Sequence, residues 1–140
     1  MWQNEFVIET NLKKEKIWAL WDDVRNWNKW NTSIEYSNIN GNFKDGTYGS
    51  FKTAEGINAV YKSFVLRNCI QNKSFIGRVK LFFCIMDLGH EMIEEDNKLI
   101  VKHYIRLNGL LAFRYKKTIG VNMSSKLQES VKNLIKLAGG

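Results

Sequence analysis

The middle of this chain and its end follow different periods, and that contrast limits the folds open to it. Between Ile34 and Leu107 apolar residues tend to recur at every second position, in runs broken by turn residues. Beyond them Ile119, Met123, Leu127, Val131, Leu134 and Ala138 stand at steps of three and four. That is one face of a long amphipathic helix reaching Leu137 and ended by Gly139-Gly140. A sheet of so many strands has an apolar face to cover, and a single helix covers only part of it. A strongly curved sheet around that helix leaves a concave space, which is the first hint of function.

The runs can be assigned in order. Residues 5–9 read as a short strand with Phe6 and Ile8 on one face. Asn11 is placed to cap an amphipathic helix carrying Ile17, Leu20, Trp21 and Val24. Asp22-Asp23 closes it or caps a second short turn, which holds Trp27 and Trp30 on one side. Strands are expected over 34–43, 47–53, 59–70 and 74–80, with turns at Lys44-Asp45-Gly46 and Gln71-Asn72-Lys73 and a break at Glu55-Gly56. The run 81–86 either extends the last of these or loops over a cavity, and Asp87-Leu88-Gly89 interrupts it. Residues 90–95 and 98–107 form a hairpin around Asp96-Asn97. Asn108 can cap the final helix, and Gly120 inside that helix argues against a straight rod. With no repeat, low-complexity tract or boundary, residues 1–140 read as a single domain.

Composition serves to exclude. At 44% hydrophobic and 25% charged the chain is of the folded class, not the disordered one. No stretch approaches a membrane span, and Met1-Trp2-Gln3-Asn4-Glu5 lacks the basic and apolar regions of a secretory signal. Cys69 and Cys84 cannot staple a domain of this size, so a reduced, cytoplasmic compartment is expected. The formal net charge of +7 would suit nucleic acid, an anionic membrane or an acidic ligand. No block of five or six basic residues occurs, and no nucleic-acid partner is expected.

The order of elements resembles the helix-grip fold of the START-like, or Bet v 1-like, superfamily (SRPBCC), which includes the polyketide cyclase/dehydrase and lipid-transport group. Three stretches carry the likeness. The opening has Phe6-Val7-Ile8-Glu9-Thr10, then Ile17-Trp18-Ala19-Leu20-Trp21-Asp22-Asp23 and Asn26-Trp27-Asn28-Lys29-Trp30-Asn31. The last hairpin ends in Leu107-Asn108-Gly109-Leu110-Leu111-Ala112-Phe113, and the terminal helix carries Leu127-Gln128-Glu129-Ser130-Val131-Lys132-Asn133-Leu134-Ile135-Lys136-Leu137-Ala138. The resemblance implies an α+β class. A curved, seven-stranded antiparallel sheet would grip the long C-terminal helix, with two short helices after the first strand and an apolar cavity between. It carries over no catalytic set, because this superfamily hosts carriers, receptors, co-chaperones and enzymes.

Two histidines bear on the cavity. In 98–107 the apolar face is Leu99, Val101, His103, Ile105 and Leu107. An even loop around Asp96-Asn97 pairs Glu94 with Leu99, Met92 with Val101 and His90 with His103. It sets Glu91 opposite Lys102 and Glu95 opposite Lys98, and this match of opposite charges supports the register. Both imidazoles should meet on the inner face. There they are buried neutral groups sharing hydrogen bonds, anchors for a ligand's carbonyl or hydroxyl, or an acid and base. His103 is the weak catalytic candidate, with Tyr36, Tyr61 or Arg78 as helpers. The expected ligand wall is His90, His103, Met92, Val101, Phe113, Met123, Leu127 and Trp30. Glu94 lies two pairs away, so no metal site is expected, and no cofactor. Trp27 and Trp30 read as core packing or as a pocket wall. Phe113-Arg114-Tyr115-Lys116-Lys117 is the one basic-aromatic cluster, a solvated turn or a contact for an anionic membrane surface or a ligand's acidic head group.

These readings converge on intracellular binding or transport of a small apolar or amphipathic ligand, lipid- or polyketide-like. The alternatives are a polyketide cyclase-like enzyme and a protein-interaction module of co-chaperone or regulator type, the latter favoured by an apolar patch on the outer sheet. A monomer or a homodimer fits equally.

Overall fold

The computed structural model describes residues 1–54 and 61–140. Seven strands form one antiparallel sheet: β1 (Trp2–Thr10), β2 (Ile34–Ile39), β3 (Tyr48–Thr53), β4 (Tyr61–Ile70), β5 (Ser74–Leu81), β6 (Cys84–Glu95) and β7 (Lys98–Asn108). Their order across the sheet is β1-β7-β6-β5-β4-β3-β2, so the first strand crosses over to lie beside the last. Register shifts in the β2–β3 and β4–β5 pairs bend the sheet. Between β1 and β2 lie helix α1 (Lys14–Trp21) and a 3-10 helix (Val24–Lys29). The C-terminal helix runs 26 residues as an α turn (Ala112–Tyr115), a π-helical turn (Lys116–Gly120) and an α-helix (Val121–Leu137). This is the helix-grip arrangement.

The core forms because both patterns turn inward. Ile17, Trp18 and Trp21 of α1 and Leu134 of the terminal helix are buried in one cluster with Val101, Ile105 and Leu107 of β7. Tethers hold the layers. The Trp27 indole N–H donates to the Trp21 carbonyl at 2.8 Å, and the Ser37 hydroxyl donates to the Val24 carbonyl at 2.6 Å. The π turn answers the bend that Gly120 implies. The Trp2 ring packs against Gly120 so closely that a Cβ there would lie 2.9 Å from it.

Several boundaries differ from the expectation. The strand at 34 ends at Ile39, and Phe43 leaves the sheet to plug an aromatic cluster, 5.6 Å from Trp18 and 5.0 Å from Phe75. Asp87-Leu88-Gly89 does not interrupt β6. On the outer face the Tyr104 ring lies over Gly89, and Asp87 is held by Arg78 through bonds of 2.8 and 3.1 Å. An aromatic covering a cross-strand glycine restores the packing that glycine lacks. Asn11 does not cap α1, whose N-cap is Lys13. It accepts instead from the Lys98 ammonium at 2.9 Å. Asn108 closes β7 rather than capping the helix, which begins at Ala112. The expected break at Glu55-Gly56, and Ala59 and Val60 of the expected third strand, lie outside the described residues.

Candidate functional site

The β6–β7 hairpin brings the two histidines face to face. His90 pairs with His103 in register, Glu91 with Lys102 and Glu95 with Lys98, and the Lys102–Glu91 ion pair on the outer face measures 3.4 Å. The imidazole centroids are 4.6 Å apart on the inner face. Phe75, opposite His90 in β5, stacks on it at 4.0 Å with planes 5° apart. Trp21 and Trp30 stand edge-on to or tilted against both imidazoles at 5.5–6.2 Å.

Hydrogen bonding separates the roles of the two imidazoles. The Trp21 indole N–H donates to His103 Nε2 at 3.2 Å. That nitrogen therefore carries the lone pair, and the ring proton sits on Nδ1. The bond ties α1 to β7 and occupies His103 with a structural task. His90 Nδ1 and Trp30 Nε1 have no hydrogen-bond partner among the described residues, although both atoms are buried. Burial holds the His103 imidazole down to a pKa of about 3. Burial, then the neighbouring His103, pushes His90 well below the ordinary imidazole range, against an opposing pull from the Phe75 and Leu88 carbonyls. Both rings are neutral at physiological pH, so they serve as hydrogen-bonding groups and poor bases.

A cavity lies between this cluster and the terminal helix. The sheet side contributes Phe51, Phe64, Phe75, His90, His103 and Ile105. Trp27, Trp30, Asn31 and Ser33 close one end, and Met123, Lys126, Leu127 and Ser130 form the helix side. Its volume is about 50 Å³, counted as room for the centres of water-sized spheres. That admits a few waters and is far below the several hundred Å³ of a drug-sized pocket. What accessible surface His90 keeps is cavity wall. At the helix side the Ser130 hydroxyl lies 3.3 Å from Asn31 Oδ1, which also accepts from the Ser33 backbone N–H at 3.0 Å.

Of the residues expected to line a ligand, His90, His103, Trp30, Met123 and Leu127 meet at this cavity. Met92 and Val101 share its face of the sheet but are buried in the core beyond it, because the α1 aromatics pack over that end of the hairpin. Phe113 is a correction. The α turn at Ala112–Tyr115 carries Ala112 inward and leaves Phe113 on the surface. The proposed helpers do not reach the histidines either. Tyr36 and Tyr61 are exposed, and Arg78 is engaged with Asp87 on the outer face. Trp27 and Trp30 are at once core and cavity wall. Sequence reasoning missed Phe75, Ser130, Lys126 and Trp21. The helix period does place Lys126 and Ser130 beside Met123 and Leu127, whereas nothing local links Trp21 to His103, 82 positions away. Burial raises both thiols, Cys69 to about 11, which keeps them protonated and unreactive. No group of three or more metal-ligating side chains occurs among the described residues. No helix is long and apolar enough to cross a membrane.

No protein-family model matches the chain, and no curated protein matches it. Solved structures do. A START superfamily protein from Mycobacterium smegmatis superposes with a TM-score of 0.72 at 11% identity, covering 96% of this chain and 97% of that one. The di-domain ARO/CYC StfQ from the steffimycin biosynthetic pathway gives 0.76 at 5% identity, over 94% of this chain and 48% of its own. Ara h 8.0201 gives 0.65 at 11% identity, over 96% and 99%. The chain therefore has the START/Bet v 1-like fold.

Proposed function

We propose that the protein binds a small apolar or amphipathic molecule inside the cell, in the cavity between the sheet and the C-terminal helix. The observation that carries this reading is the pairing of an aromatic-walled cavity with two buried polar atoms, His90 Nδ1 and Trp30 Nε1, that no described residue satisfies. Buried polar groups are otherwise nearly always paired, and leaving one unpaired costs about 1–3 kcal/mol. An oxygen of a ligand, a carbonyl or hydroxyl, would accept from the Trp30 indole and meet His90, while its rings lie among Phe51, Phe64 and Phe75. The likeness to START and Bet v 1 proteins and to an ARO/CYC protein favours a lipid- or polyketide-like guest.

Size sharpens the reading. A space of about 50 Å³ does not hold an acyl chain or a fused-ring polyketide with the side chains where they stand. A larger guest enters by swinging aside Met123, Lys126 and Leu127, flexible chains on the helix wall. Binding is favoured over turnover because the neutral His103 is a weak base whose Nε2 is occupied by Trp21. On the outer face of β5–β7 the Arg78–Asp87 and Lys102–Glu91 ion pairs stand between Ile85 and Ile93, which remain exposed.

The test uses the indoles that wall the cavity as reporters. Titration with 2-naphthol, a ring carrying one hydroxyl, should change the tryptophan emission saturably. Trp30→Phe keeps the ring and removes the donor, and should weaken binding by about fivefold to tenfold, one hydrogen bond's worth. His90→Phe should do likewise while preserving the stack on Phe75. Unchanged affinity in both variants, or no co-purifying small molecule by native mass spectrometry together with no naphthol binding, overturns the proposal.

A further inference from the structure

At one end of the sheet the chain exposes apolar surface that its own fold does not use. The β5–β6 turn carries Phe82 and Phe83, 71% and 58% exposed, and the connection from β7 carries Leu110 and the first turn of the terminal helix Phe113, 77% and 57% exposed. The two segments form one tip. The Leu111 backbone N–H donates to the Phe83 carbonyl at 3.1 Å. Gly109, at φ 126°, passes so close that a Cβ on it would lie 2.6 Å from that oxygen.

The turn itself is chemically odd. A two-residue hairpin turn ordinarily takes Asn-Gly or Asp-Gly, because one or both positions need positive φ. Phe83 sits at φ 50°. The other non-glycine residues with positive φ among the described ones are Asn68, Asn72, Asp96 and Asn97, types that tolerate that region. Phe83 carries a conformational cost, and its ring, packed edge-on at 4.5 Å against the equally exposed Phe82, stays largely in water. Outliers of this kind concentrate at functional positions.

The charge around the tip has one sign. From 108 to 121 the chain has Arg114, Lys116 and Lys117 and no Asp or Glu, and 79–86 adds Lys80 without an acid. Arg114 and Lys117 line a groove with Phe82 and Phe113 and make no ion pair among the described residues. They also stand in the first turns of a helix, where the dipole disfavours cations. An anionic surface would reverse that cost.

We propose that this tip docks on an anionic lipid surface. Phe82, Phe83, Leu110 and Phe113 enter the boundary between headgroups and acyl chains, and Arg114 and Lys117 hold the headgroup phosphates. Protruding aromatic knobs on two loops, backed by unpaired cations, match a soft, negatively charged layer. The inference stands on the tip alone and needs no ligand in the cavity.

The experiment is flotation of the full chain with vesicles of phosphatidylcholine alone and of phosphatidylcholine with phosphatidylglycerol. Binding should require phosphatidylglycerol and weaken as salt rises. The double variant R114Q/K117Q should lose about 30-fold in partitioning, from roughly fivefold per cation. F82S/F113S should lose about tenfold or more. Because these chains are exposed, both variants should melt with the wild type, and 2-naphthol binding should be untouched. Absence of binding to phosphatidylglycerol vesicles at low ionic strength overturns the proposal, as does equal binding to neutral vesicles or full binding by both variants. Self-association that F82S/F113S abolishes, without vesicle binding, would instead make the tip a contact between copies.

Discussion

Acid should unfold this protein earlier than its carboxylates alone would allow. The perturbation is a shift from pH 7 to pH 5, and the groups that feel it are His90 and His103. An unfolded imidazole titrates near 6.5, whereas the folded His103 titrates near 3. The folded value is depressed, so stability is fully present above the unfolded value and drains away as pH falls from about 6.5 toward 3. Over two units down to pH 5 the unfolded state gains about 2 kcal/mol from protonating one such ring, and the folded state almost nothing. His90 is shifted in the same direction by the same burial. His90 adds to this loss, which for His103 alone is set against a total stability of about 5–15 kcal/mol for a domain of this kind. The rings that face the pair belong to Trp21, Trp30 and Phe75, and the one charged group on the same cavity is Lys126, which also opposes protonation. Asp22, raised by its own burial and then by Asp23, acts in the opposite sense and at lower pH. Urea unfolding at fixed ionic strength between pH 7 and 5 reads the effect as a loss approaching about 1.4 kcal/mol per unit below 6.5 for His103, with His90 steepening it. His90→Phe should make the slope shallower. A stability that stays level to pH 5, or an imidazole resonance titrating near 6.5, would refute the account of two rings held neutral by burial in an aromatic cluster.

Two outer-face substitutions test the sheet that presents the pair. Gly89→Ala sets a Cβ 1.9 Å from the Tyr104 ring, which must swing into solvent, and should cost about 1–3 kcal/mol, read as a lower melting temperature. Arg78→Ala leaves the buried Asp87 carboxylate without its bidentate partner and should cost about 2–3 kcal/mol in urea, whereas Asp87→Asn in the Arg78→Ala background should recover part of it.

Some of this could be read from the chain alone. Apolar alternation along β7, with Glu91 and Glu95 facing Lys102 and Lys98, determined the register of the hairpin and set both imidazoles on the inner face. A one-residue slip there would expose Leu99, Val101 and Ile105 and set like against unlike charges wrongly, so local pattern and pairing agree on one answer. The steps of three and four in the terminal helix likewise brought Met123 and Leu127 to that face. Tertiary structure decided the rest. Whether an imidazole nitrogen is free depends on where an indole 82 positions away arrives, and Trp21 reached His103 rather than His90. Whether Phe113 lines the cavity depends on where the first helical turn begins after Gly109, and one turn's rotation put it outside beside Phe82. The volume left open is a small difference between the space the bent sheet encloses and the bulk of some twenty side chains from most of its strands. Period and charge fix which way a residue points, but only packing of distant segments fixes what it meets there.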